Sequence, residues 1–282
     1  MTLTPLEFSG VVFGASIVAG VIGSILGLGG GIIVTPVLTI GLGVDIRYAI
    51  GASLIAVIAT SSGAAAAYVR EKMTNLRVAM LLEVATSCGA LTGATIAAYV
   101  QARWLFVIFA IILGYSALMM LKRRNDVSGT DVPPDRLADS LKLHDTFYDP
   151  SLQQPVTYRV TRTPIGFGLM YVAGMVSGLL GIGSGSLKVP AMDLCMRLPI
   201  KVSTATSNFM MGVTAAASAG VYFSRGDINP FIAAPVAIGV LIGAMAGSKI
   251  FGKLNNQLIR KLFVVVLLWV SATMLWKGVV GK

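Results

Sequence analysis

Two stretches decide the fold: Gly27-Leu28-Gly29-Gly30-Gly31-Ile32-Ile33-Val34-Thr35-Pro36 and Gly181-Ile182-Gly183-Ser184-Gly185-Ser186-Leu187-Lys188-Val189-Pro190. Each begins where a long apolar run gives out, and each feeds a short apolar segment. Glycine costs roughly 1 kcal/mol against alanine in a helix interior, so runs this dense predict a broken backbone. A break inside a bilayer must find its hydrogen bonds in protein or in a wet cavity, because lipid supplies none. Discontinuous membrane helices of this kind form solute sites.

The second stretch echoes the first. An offset of 154 positions takes Gly27 to Gly181, Gly31 to Gly185 and Pro36 to Pro190. The same ungapped register pairs Ser53 with Ser207, Thr60 with Thr214, Tyr68 with Tyr222 and Asn75 with Asn229. Glycine and alanine match by chance in a chain rich in both; paired Pro, Tyr, Asn and Thr do not. The chain reads as two copies of one unit, residues 1–121 and 164–282, joined by a polar linker, 122–163.

Hydrophobic residues make up 55% of the 282 and charged residues 12%, which excludes a soluble globular class. Several apolar runs exceed the roughly 18 residues that span a bilayer. The net charge of +10 lies at the ends of these runs and in the linker, the pattern of topology signals rather than of nucleic-acid binding. Cys88 and Cys195 fall inside apolar segments and read as small buried thiols. Two cysteines and one histidine, His144 in the linker, offer no metal-ligand set. The first apolar run, starting near Phe8, lacks the basic leader and cleavage site of a signal peptide and is expected to stay as a membrane helix.

Apolar segments are expected at about 8–26, 31–43, 48–69, 78–100 and 104–121, and again at about 165–182, 186–198, 202–223, 230–252 and 262–280. Four in each copy are long enough to cross. The segment after each break is not: about 13 residues at 1.5 Å each reach roughly 20 Å, against a hydrocarbon core of about 30 Å. A re-entrant half-helix fits it better than a short tilted crossing. Most basic residues, among them Arg70, Lys72, Arg77, Lys122, Arg123, Arg124, Lys249 and Lys253, fall on the linker's side, which puts the linker inside and both termini outside. An odd number of crossings per copy then inverts the second copy relative to the first. The expected fold is an all-α integral membrane protein of two inverted-topology repeats with glycine-broken re-entrant hairpins near the midplane. Within the linker, Val156 to Thr161 alternates like a short strand, and the segment reads equally as an ordered cap or a tether.

The candidate chemistry gathers at the second break. A half-helix starting at Gly185 presents its N–H groups and positive dipole end to an anion, as does the one starting at Gly31. Ser184 and Ser186 add hydroxyl donors, and Lys188 adds a charge that its counterpart, Val34, lacks. The alternative for Lys188 is snorkelling or internal pairing; Asp193 is near in sequence but faces away on a helix. Ser203 to Asn208 is a run of small polar side chains in which Thr206, Ser207 and Asn208 read either as helix-packing glue or as solute lining. Ser53 joins them through its repeat partner Ser207. Glu83 and Asp193 are intramembrane carboxylates, weaker candidates for proton coupling. Arg47 and Lys201 read as interfacial anchors, and Tyr68 and Tyr222 as an aromatic belt. With neither a Gly-Lys-Ser/Thr phosphate loop nor a nucleophile–histidine arrangement, the chain reads as neither a nucleotide-driven pump nor an enzyme, and no cofactor is expected.

Gly27-Leu-Gly-Gly-Gly-Ile to Pro36 with Ala49-Ile-Gly-Ala-Ser53, and Ser177-Gly-Leu-Leu-Gly-Ile-Gly-Ser-Gly to Pro190 with Ala205-Thr-Ser-Asn208, resemble the sulfite exporter family of TauE/SafE type. The similarity covers nearly all of the chain outside the linker. It implies a secondary carrier of the bacterial inner membrane for small anions: sulfite, thiosulfate, sulfoacetate and other sulfonates, or carboxylates. The family includes exporters and importers. Gly183-Ser-Gly-Ser, where many relatives carry a longer glycine run, and the Lys188 that follows are departures that bear on the choice of anion. The expected partners are a small anionic substrate, the bilayer and a second copy in a homo-oligomer. An anion channel and a non-transporting assembly or sensor protein are the rival classes.

Overall fold

The structure, a computed structural model, describes residues 4–122 and 135–280. The helices are α1 (Pro5–Leu26), α2 (Gly31–Pro36), α3 (Ile46–Arg70), α4 (Leu76–Ala97), α5 (Ala102–Lys122), α6 (Arg136–Ser140), α7 (Thr163–Leu180), α8 (Gly185–Pro190), α9 (Ile200–Ser224), α10 (Pro230–Phe251) and α11 (Asn256–Val280). Between α6 and α7 lie two antiparallel strands, β1 (Asp145–Asp149) and β2 (Gln154–Tyr158), the second overlapping the expected strand 156–161 only at 156–158. The start of the linker, residues 123–134, falls outside the described residues.

Local chemistry sets these boundaries. Thr4 and Glu7 close a reciprocal capping box on α1, while Asp45, Asn75 and Asn229 accept backbone N–H bonds at the starts of α3, α4 and α10. Gly27 and Gly181 end α1 and α7 at a φ of 67°, in the left-handed region where glycine carries no Cβ penalty. Pro36 and Pro190 sit at the sixth position of α2 and α8. Each ring removes an N–H from the ladder, and the chain continues as one wide turn of π-helix, Val37–Gly41 and Ala191–Cys195.

Seven described helices are long and apolar enough to cross a membrane: α1, α3, α4, α5, α7, α10 and α11. The eighth expected crossing, α9, has the length, at 25 residues, but Lys201 and its Ser, Thr and Asn residues lower its hydropathy. Those polar groups meet no lipid, since Lys201, Ser203, Thr204, Thr206, Ser207 and Asn208 are all fully buried.

Packing follows the repeat. Helix α1 lies along α10 and α7 lies along α4, while α3 and α9 meet at the centre and α5 pairs with α11. The contacts exchange under the same offset. Gly20 abuts the Val240 carbonyl as Gly174 abuts that of Thr86, and Gly243 meets Ile17 as Gly89 meets Tyr171. A Cβ at any of these glycines would collide with backbone, so helix axes approach here as only small residues allow.

Two expectations are corrected. Tyr68 and Tyr222 form no interfacial belt: both are buried, and their hydroxyls donate to Ser24 O (3.0 Å) and Gly178 O (2.9 Å), two of the orphan carbonyls at the ends of α1 and α7. Cys88 is exposed on α4 and Cys195 is half-buried, so neither is an enclosed thiol.

Candidate functional site

The two breaks meet at the centre of the bundle. Gly29 (φ 74°) and Gly183 (φ 75°) both rest against the same two side chains, Val57 and Met211, which are themselves repeat partners. Any side chain at these glycines would be strained in backbone and crowded by Val57. The freed backbone groups find partners across the repeats. Ser207 Oγ donates to Gly27 O at 2.9 Å, and Ser53 Oγ donates to Gly181 O at 2.5 Å, one bond in each direction. Asn208 Nδ2 also donates across to Ser24 O (2.8 Å), whereas Gly30 N donates to Thr60 Oγ1 (2.9 Å) within its own repeat.

Those bonds place most of the candidate residues. Thr206 accepts from Asn75 N at 3.1 Å, so Thr206, Ser207 and Asn208 face three different neighbours. Ser184, at a φ of 57°, donates to the Gly183 carbonyl. Gly31 lies against Ser53, and Gly185 against the Gly27 carbonyl. Ser186 Oγ is buried and has no hydrogen-bond partner among the described residues.

Lys188 and Glu83, 105 positions apart in the sequence, come together. Lys188 is fully buried on α8, and its Nζ donates to Thr214 Oγ1 on α9 at 2.7 Å. Thr214 in turn donates to Glu83 Oε1 on α4 at 2.7 Å, and the second carboxylate oxygen lies 3.6 Å from Nζ. Thr86 (3.0 Å) and Ser87 (2.8 Å) also donate to Glu83. An ammonium carries three donors, and this one makes a single hydrogen bond among the described residues. The cluster draws on both repeats and has no symmetric counterpart. The repeat partners of Lys188, Glu83, Thr86 and Ser87 are Val34, Ala237, Val240 and Leu241, and only Thr214 is matched by a hydroxyl, Thr60. Thr214 was not among the residues singled out from sequence, although its match to Thr60 and its place on α9 below Asn208 were legible.

The other intramembrane acid is committed elsewhere. Asp193, in the π-turn after α8, is 3.1 Å from Arg260 Nη2 on α11. No group of three or more metal-ligating side chains occurs among the described residues.

The described part of the linker, residues 135–163, is an ordered cap. Phe147, Tyr158, Leu143 and Ala138 bury their side chains with Val78 and Leu82 of α4 and Met170 of α7. Asn75 donates to Leu143 O (2.8 Å) and to the Tyr158 hydroxyl (2.9 Å). Lys201 is therefore no interfacial anchor: it is fully buried, and its Nζ donates to Asp149 Oδ1 at 2.7 Å, Ser151 Oγ at 2.8 Å and Gly252 O at 3.2 Å. Burial pushes the Asp149 carboxyl up, but hydrogen bonds from Lys201 and from Ser151, with the lysine charge, outweigh it and hold the group below the usual aspartate value.

A family model described as "Sulfite exporter TauE/SafE" matches residues 12–274. Among curated proteins, the chain is 29% identical to the probable membrane transporter protein YunE of Bacillus subtilis, over 93% of this chain and 96% of that one. It is 24% identical to a probable membrane transporter protein of Xylella fastidiosa, over 92% and 93%. A probable membrane transporter protein of Methanocaldococcus jannaschii is 23% identical over 86% of both chains. No solved structure matches.

Proposed function

Because the chain belongs to the sulfite exporter TauE/SafE family, we propose that it is a secondary carrier that moves a small sulfur-containing or organic anion, of the sulfite, sulfoacetate or sulfonate type, across the bacterial inner membrane by alternating access. The proposed direction is export, with the linker cytoplasmic. A membrane potential negative inside favours anion exit by about 2.3 kcal/mol per charge per 100 mV. The repeats are read as inverted, with α1–α2 and α7–α8 as the re-entrant hairpins.

One observation carries this reading: the buried Lys188 ammonium, which makes one hydrogen bond among the described residues and pairs with the Glu83 carboxylate only loosely, at 3.6 Å. A monoanion entering beside Nζ takes the place of Glu83 as its partner. Gly185 and Ser186 open the same half-helix, and Gly31 opens its counterpart. Lys188 is closed off in this conformation, so loading requires movement at the breaks. The bonds from Ser53 and Ser207 to the break carbonyls are the ones such movement exchanges, and Ser184, Thr206 and Asn208 release their present partners to line the path.

The Glu83–Lys188 pair also favours a second reading, proton-coupled movement. Protonating Glu83 removes the competing charge and frees Lys188 for the substrate, so a proton and an anion would travel together and the potential would not act on the neutral sum. Asp193, held by Arg260, is the lesser proton candidate.

The test is thermal stabilisation of the purified protein by sulfite, sulfoacetate, thiosulfate and short carboxylates, with Lys188→Met alongside. A ligand at a hundred times its Kd adds about 2.7 kcal/mol. One anion should stabilise the wild type and not the variant. Equal stabilisation of both moves the site away from Lys188.

A further inference from the structure

The 154-residue exchange also relates the two ends of the bundle, and they differ in one respect. At the linker end, the first turn of α9 offers Lys201, and the carboxylate of Asp149, the last residue of β1, fills the space beside it. Pro150 follows Asp149 onto Gly252, and Phe251 closes the back of the site against Tyr68, ring centroids 4.9 Å apart. At the opposite end the partners of Lys201, Phe251, Gly252 and Tyr68 are Arg47, Ala97, Ala98 and Tyr222. Those four residues, with Ile50, Leu105, Arg225 and Asp227, line an open cavity of about 130 Å³. One water needs roughly 10–15 Å³.

The difference has a simple cause. Ala97 leaves empty the volume that Phe251 occupies, and the four residues 98–101 between α4 and α5, Ala-Tyr-Val-Gln, supply no carboxylate. Asp227 is already engaged, 3.1 Å from Arg225 Nε, and Arg225 also donates to Ala94 O and lies 4.4 Å over the Tyr222 ring. The Arg47 guanidinium makes no ion pair or side-chain hydrogen bond among the described residues. The lining therefore carries a net charge of one positive, on the exposed Arg47, whose planar fork suits two oxygens.

We propose that the cavity around Arg47 binds a small monoanion through its carboxylate or sulfonate group, in the position that Asp149 takes at the linker end. The site is separate from the Lys188 cluster and stands whether or not the carrier reading does.

The experiment is protection of Arg47 from phenylglyoxal in the full-length protein in detergent, read by peptide mass spectrometry, with acetate and methanesulfonate as probes. Arg103, exposed at the same end, is the internal control. Either probe should slow modification of Arg47 at least fivefold and leave Arg103 unchanged. Ala97→Phe, which restores the Phe251 arrangement, should abolish the protection, whereas Lys188→Met should retain it. Equal rates at Arg47 with and without both probes overturn the proposal, as does equal protection of Arg103. Protection retained in a protein without anion flux ends the carrier reading alone; flux without protection ends this one alone.

Discussion

Lys188 shows what a single residue can and cannot disclose. Its type and its place after a glycine break were legible in the sequence, and so was the lack of a counterpart at Val34. Its partner was not, because Glu83 lies in the other repeat and the two meet only when α4 and α8 flank α9. Helical spacing tests only near neighbours such as Asp193, which turns out to pair with Arg260. The energetic consequence can be checked at the same scale. Taking one member from a buried ion pair strands the other and costs about 3–5 kcal/mol. Lys188→Met and Glu83→Gln should each destabilise the protein by that order in unfolding from mixed micelles, and the double variant should lose much less than the sum. Additive losses would mean that the two groups do not interact.

At the scale of elements, the breaks and the linker contrast. The breaks could be located from glycine density and the prolines beyond, since few local structures suit Gly27 to Gly31 in an apolar context. That Ser53 and Ser207 hold these breaks from the opposite repeat was only half legible: the repeat matched them but could not say what they touch. The linker could not be assigned, because an alternating six-residue stretch is compatible with cap and tether alike; what decides it is Asp149 reaching the buried Lys201. The pH dependence of that contact follows from its sign. The Asp149 carboxyl is held below its ordinary value, so its contribution is complete above the unfolded aspartate pKa of about 3.9 and is lost as pH falls through the lower folded value. Amide exchange of residues 145–158, corrected for intrinsic rates, should be flat from pH 8 to 5 and should accelerate below about pH 4. Asp149→Asn should exchange faster already at pH 7, with no further acid step. The same exchange in variant and wild type at pH 7 would remove Asp149 from the docking.

For the whole molecule, the exchange of contacts under one offset explains why fold class was accessible: period, apolar length and charge bias are properties of the chain. On the proposed reading, function depends on where the halves cease to match. The scaffold supplies two breaks; Lys188, Glu83 and Thr86 make one of them polar, and Ala97 opens one end that Phe251 closes at the other. A channel built from these parts would need a continuous polar path; the proposed carrier instead closes over Lys188, which is sealed in this conformation. A carrier, accordingly, should show saturation and counter-exchange. The most direct measurement is radiolabelled sulfite or sulfoacetate flux into proteoliposomes preloaded with the same unlabelled anion, for wild type and Lys188→Met. The account predicts saturable, trans-stimulated uptake by the wild type and a loss of at least a hundredfold in the variant. Uptake by Lys188→Met at the wild-type rate would contradict it.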